Sequence, residues 1–267
     1  MIETILSRIF VNQWVVLIVV TCWLVGTAEL GFRLARLNRK HHPEASQVEL
    51  GNVQGAVLAL LGLLLGFSFA MAVGRYDSRR SLVVDEANSI GTSWLRADFL
   101  PIAHATEVKS LLQHYTQLKL EAFGMAHRPA IVIDAREIRK IHQALWAHAS
   151  AAAAEQPSPI IASFITSLNE TLDLDSSRSA AARNRIPGLV WLLLLVVASS
   201  GIWISSYGNG SNGVRSLFNH LMFPALIGIV ITLISDMDRP NKGLIQDNPK
   251  SLAELFESMQ SGAKPNQ

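Results

Sequence analysis

Between Leu50 and Gly74 the chain runs for 25 residues without a formal charge. At about 1.5 Å per residue, a helix of that length crosses a hydrocarbon core of roughly 30 Å. Three more uncharged runs share the property: Ile9 to Ala28, Ile186 to Val214 and Ser216 to Ser235. Apolar residues make up 49% of the 267, and they collect in these runs rather than spreading evenly. The chain therefore reads as an all-α integral membrane protein with four transmembrane helices. A formal charge of +2, with no dense basic tract away from the span flanks, argues against a nucleic-acid partner. Cys22 is the single cysteine and lies inside the first run, so no intrachain disulfide is possible. That run lacks a strongly basic start and a small-residue cleavage site, and reads as an anchor rather than a removed signal peptide.

The second run carries a further pattern. Gly51, Gly55, Ala59, Gly62, Gly66, Ala70 and Gly74 recur at three- and four-residue spacing, which puts them on one helix face. Such a face buries little apolar area but lets another backbone come close, as small-xxx-small pairs do in membranes. The run closes on a charged collar, Arg75, Asp77, Arg79 and Arg80. If the helix continues, Asp85 and Glu86 stand about 15 Å further on. The collar reads either as a pore mouth selecting ions or as headgroup anchors pairing locally, Asp77 with Arg80, and Asp85 and Glu86 either as an acidic ring drawing cations or as residues that cap and solvate the bundle.

The chain divides at its changes of composition. Residues 1–74 hold two spans and their connecting loop, 75–185 a polar insertion, 186–235 two further spans, and 236–267 a polar tail. The insertion has helical periodicity. Val83, Ala87, Ile90 and Trp94 form one stripe, and Val108, Leu111, Tyr115 and Leu118 a second. Ile138, Ile141, Leu145 and Ala149 make a third, and Ile161, Phe164, Leu168 and Leu172 a fourth, opened by Ser158-Pro159 as N-cap and first-turn proline. A soluble helical bundle is expected, with breaks near Pro101, Pro129 and Pro157. Pro224 lies in the middle of the fourth span and should kink it. Antiparallel neighbours would bring Asp236, Asp238 and Arg239, after that span, to Arg183 and Arg185 before the third. Glu29 is either an intramembrane functional acid or the partner of Arg33 one turn away. The adjacent His41 and His42, before Pro43, cannot easily face one ion and read as loop residues.

As an enzyme the sequence offers little. It contains no dinucleotide-binding glycine fingerprint, P-loop, CxxC or HExxH. His104, His114, His142 and His148 lie on helices without a nucleophile or acid at useful spacing, and Asp173 and Asp175 point to different faces. Neither enzymatic activity, a cofactor nor a metal is expected. With both termini inside, the short inner flanks hold ten positive residues against five outside. That favours a multi-pass protein of the cell inner membrane with termini and bundle in the cytoplasm, although the first loop votes the other way.

The stretch LLGLLLGFSFAMAVGRYDSRR resembles the second transmembrane helix of bestrophins, an apolar helix with a Leu-Gly-Phe core that ends in arginine and an aromatic residue. RYDSRRSLVVDEANSIGTSWLRA, the Arg183-to-Pro187 segment and DMDRPNKGLI are more closely similar to the prokaryotic bestrophin-like domain family of unknown function. True bestrophins are pentameric ion channels whose second helices line the pore, so the resemblance implies a homo-oligomer in a lipid bilayer passing inorganic ions. Aligned on Leu65-Gly66-Phe67, their hydrophobic neck falls at Ala59, Leu63 and Phe67. Ala59 is small where the family carries a bulky residue, and the neighbouring proline is missing. The acidic calcium clasp of the animal proteins is not matched by Asp236 and Asp238 alone.

Two functions follow as expectations. One is a bestrophin-like oligomeric channel giving passive ion permeation through a pore lined by the second span, with Leu63 and Phe67 constricting it. The other is a non-conducting membrane scaffold or sensor whose bundle binds a cytoplasmic partner, the small-residue stripe packing against a span of its own subunit.

Overall fold

A computed structural model describes residues 13–39, 47–124, 135–213, 215–239, 244–245 and 248–262. The histidines at 41 and 42 and the break near Pro129 lie outside these residues. Among the described residues the chain is helical throughout: α1 Gln13–Arg39, α2 Gln47–Arg96, α3 Ile102–Gly124, α4 Ala135–Glu155, α5 Pro159–Arg183, α6 Gly188–Asn212, α7 Phe223–Met237 and α8 Lys250–Ser261. Four stretches, Gln13–Asn38, Gly51–Phe99, Pro159–Ser211 and Phe218–Met237, are long and apolar enough to cross a membrane. The chain forms two compact units, Met1–Arg75 with Arg185–Ile245, and Tyr76–Asn184 with Gln246–Gln267.

In the apolar unit, α1 presents Leu24, Ala28, Phe32 and Ala35 at helical spacing as its buried face. Leu24 and Ala28 pack with Val197, Ala198 and Ile202 of α6, with Ile227 and Ile231 of α7 and with Leu61 of α2, while Val57, Leu58, Leu64 and Leu65 of α2 are partly buried against the same cluster. The seam depends on glycine at three positions. A Cβ on Gly31 would lie 2.9 Å from the Trp203 carbonyl oxygen, one on Gly210 2.6 Å from the Phe32 carbonyl oxygen, and one on Gly228 2.5 Å from Thr21 Oγ1. At Gly31 and Gly210 a backbone carbonyl, and at Gly228 a threonine hydroxyl, leaves no room for a Cβ. Two cross-helix bonds flank the seam, Trp23 Nε1 to Ser199 Oγ at 3.1 Å and Asn38 Nδ2 to Tyr207 Oη at 2.9 Å.

The fourth apolar stretch opens with a π-helical turn, Phe218–Met222, and Pro224 falls in the first turn of the α-helix that follows. The irregularity therefore sits near the start of the stretch and not, as the sequence suggested, in its middle. A first-turn proline surrenders an N–H that the α-ladder does not need there.

In the second unit the four apolar stripes meet in one core containing Ile90, Leu112, Tyr115, Leu145, Phe164 and Leu168. Fully burying one Leu, Ile or Phe stabilises by about 1.5–3 kcal/mol, so this core supplies most of what holds the bundle. Ser158 caps α5, its Oγ accepting from the Ile161 N–H at 3.2 Å, with Pro159 in the first turn. The 236–267 segment read as a polar tail with one weak amphipathic piece, yet it contains α8. That helix lays Leu252, Leu255 and Met259, at i, i+3 and i+7, into the same core.

Candidate functional site

The apolar part of α2 has two faces of opposite character. Leu61, Ser68 and Ala72 point into the apolar unit, at 3%, 4% and 0% exposure. At 100° per residue these lie within about 40° of one another. Ala59, Gly62, Leu63, Gly66, Phe67 and Ala70 fall on the opposite side, and every one of them is exposed. Leu63 and Phe67 remain 54% and 63% accessible. A Cβ built on Gly51, Gly55, Gly62, Gly66 or Gly74 meets no atom within 4 Å. Among the described residues nothing packs against these five glycines. The stripe and the Leu63/Phe67 pair form one continuous bare surface, small residues interleaved with two large ones.

At the end of this stretch Arg75 turns inward. Its Nη1 lies 3.5 Å from Asp238 Oδ1, and both side chains are largely shielded. The Asp238 carboxylate also accepts from the Ile186 N–H at 2.9 and 3.2 Å. That N–H precedes α6, so one carboxylate holds the end of α7 to the start of α6. Asp236 accepts from the N–H groups of Leu244 and Ile245 at 3.1 and 3.0 Å, fixing the backbone after α7. Burial, with Arg185 adding to it, holds the Arg239 guanidinium below its usual pKa range against the pull of Asp238 and Asp236. Sequence reasoning placed these acids beside Arg183 and Arg185; it missed Arg75 and the Ile186 N–H, which meet the Asp238 carboxylate. Arg183 is exposed in the last turn of α5, and Arg185 is exposed ahead of α6. Glu29 accepts from Arg33 Nε at 2.7 Å and from Arg215 Nη2 at 2.6 Å, which is the local pairing reading of that acid extended to a second arginine.

The remaining charges separate by burial. Asp77, Arg80 and Asp85 are exposed, Asp85 accepting from Ser81 Oγ at 3.2 Å, while Arg79 is 4% exposed. Glu86, grouped by sequence with Asp85 at a charged mouth, is wholly buried in the bundle. Tyr115 Oη donates to its Oε1 at 2.7 Å, Arg178 Nη1 bonds Oε2, and Lys119 Nζ stands 3.3 Å from Oε1. Lys119 also bonds Asp175, whose Oδ2 is 3.8 Å from His142 Nε2. Burial, then the neighbouring Glu86 and Asp175 charges, pushes the Tyr115 hydroxyl well above its ordinary pKa, so it stays protonated and keeps donating. Glu86 therefore cannot offer its charge to a passing ion; it is the polar pin of the bundle. The three residues that hold it come from sequence positions with no local signature, and no motif could have found them.

Among the described residues no three His, Cys, Asp or Glu are placed to share one ion. Taken together, the fold is an all-helical one, with four membrane-length apolar helices and a bare, glycine-rich helix face. A family model for the bestrophin-like domain matches residues 12–252, and the chain belongs to that family. A solved structure of a bacterial bestrophin homolog from Klebsiella pneumoniae, a tryptophan-to-alanine variant, superposes with a TM-score of 0.63 at 12% identity, covering 90% of this chain and 96% of that one. At that identity the likeness is one of fold. No curated protein matches the chain.

Proposed function

We propose that this protein spans the cell inner membrane four times and assembles through α2 into a ring, of five copies as in bestrophins, with a passive ion pore on its axis. The observation that carries the reading is the bare face of α2. It leaves Leu63 and Phe67 more than half exposed and five glycines with no atom of the described residues within 4 Å of an added Cβ, on a helix whose other side buries Leu61, Ser68 and Ala72. In lipid such a small-residue face gains by meeting its own copies. Crowding of the glycines around an axis then brings Leu63 and Phe67 to its narrowest part, with Ala59 a wide position above or below them. Asp77, Arg80 and Asp85 are the charges available to a pore mouth. The termini and bundle lie in the cytoplasm in this reading, and no cofactor takes part.

The test is flux through liposomes containing the purified protein. Monovalent cations or anions should pass, and Leu63→Ala or Phe67→Ala should raise or reselect that flux without altering assembly mass. Absence of flux for both ion classes across a range of pH and calcium would overturn the pore and leave the scaffold reading.

A further inference from the structure

The bundle holds a pair of histidines that the pore reading does not use. His104 lies in the first turn of α3, its N–H bonded to the Pro101 carbonyl at 2.9 Å. His148 projects from α4, and Glu155 follows it by seven residues, two turns on and so on the same face. Ala149 and Ala152, 1% and 0% exposed, are the small residues that let α4 come close at this level. The two imidazoles turn their Nδ1 atoms toward each other at 3.0 Å, rings 5.3 Å apart and inclined by 66°. On the far side of the first ring, His104 Nε2 is 3.5 Å from Glu155 Oε2.

We propose that His104 and His148 bind a divalent transition-metal cation of the zinc type, with Glu155 orienting the His104 ring. Two nitrogens 3.0 Å apart, each at about 2.1 Å from a common ion, subtend roughly a right angle. Opening them by a few tenths of an ångström reaches the tetrahedral value of about 3.4 Å. A carboxylate on the ring nitrogen opposite the metal is the usual outer partner of a ligating histidine, since it fixes the tautomer that leaves the other nitrogen free. The His104 side chain is 20% exposed, so water reaches the remaining coordination positions. Since no third protein ligand joins them among the described residues, the affinity is that of a two-histidine site, on the order of micromolar. This inference stands apart from the pore and does not depend on it.

The experiment uses the full chain in detergent, stripped with chelator and titrated with zinc chloride near neutral pH by calorimetry. One zinc per chain is expected, weakened at least tenfold by His104→Ala or His148→Ala and about tenfold by Glu155→Gln. His104→Gln, which keeps a hydrogen-bonding partner for His148, should show the same loss with the melting temperature in chelator retained. His114→Ala, at an exposed histidine 3.2 Å from Glu137, should change nothing. Zinc binding that persists in the double variant His104→Ala/His148→Ala, or none in the wild type at about a hundredfold above the micromolar range, overturns the site.

Discussion

Helix α2 passes through two surroundings that could hardly differ more. In the bundle its Glu86 carboxylate is wholly buried and answered by a phenol, a guanidinium and an ammonium. In the apolar unit five glycines from Gly51 to Gly74 meet no atom of the described residues. The apolar unit shows elsewhere what glycine does when it is used internally: at Gly31 and Gly210 a backbone carbonyl, and at Gly228 the Thr21 hydroxyl, comes too close for a Cβ. The lesson is that composition alone does not say where a small-residue face is satisfied. One set closes a seam within the chain, and the other is left bare among the described residues.

The sharpest way to break this comparison is at Glu86. Glu86→Ala should cost about 3–5 kcal/mol, because Arg178 and Lys119 stay buried without their shared counter-charge. Thermal unfolding followed by circular dichroism measures it, and a loss below about 1 kcal/mol would mean the network is not a pin. Next comes Gly210→Ala, which forces a Cβ to 2.6 Å from the Phe32 carbonyl and 2.8 Å from Ala35 Cβ. A loss of about 1–3 kcal/mol is expected from overpacking, read by the same melt in detergent. Gly66→Leu is the contrasting case. It should leave the melting of the single chain within about 0.5 kcal/mol, while native mass spectrometry shows the assembly reduced or lost. Equal melting losses at Gly210 and Gly66 would erase the distinction between the two glycine sets.

The smallest effect concerns acid. Burial foremost, helped by Lys119, holds the His142 imidazole below its ordinary pKa against the opposing pull of Asp175 and Glu86. As pH falls, the unfolded chain therefore takes up this proton first, and the folded state loses stability from about pH 6.5 downward. His142→Gln should flatten that part of the stability-versus-pH curve and leave stability above pH 7 nearly unchanged.

The spans were legible in the sequence because a charge-free run of membrane length needs no tertiary information. The α2 stripe was legible for the same reason, as a periodicity. Which side of α2 the chain would cover was not, since that depends on where α1 and α6 lie. Glu86 was read as a surface acid because burial is decided by Tyr115, Lys119 and Arg178, which arrive from α3 and α5. The two histidines of the inferred metal site are separated by 44 positions and reveal nothing until α3 and α4 pack. In the C-terminal segment, a twelve-residue helix with five apolar residues is too short for its periodicity alone to place Leu252, Leu255 and Met259 in a core.

The carboxylate of Asp238 has a consequence for how the protein is made. It joins chain positions 75, 186 and 238, with more than half the chain emerging between the first and the last. At ribosomal speeds of about 5–20 residues per second, Arg75 waits on the order of ten to thirty seconds for its partner. During that interval the arginine lacks the carboxylate that later holds it. The first two helices must keep their register without the latch that later fixes it.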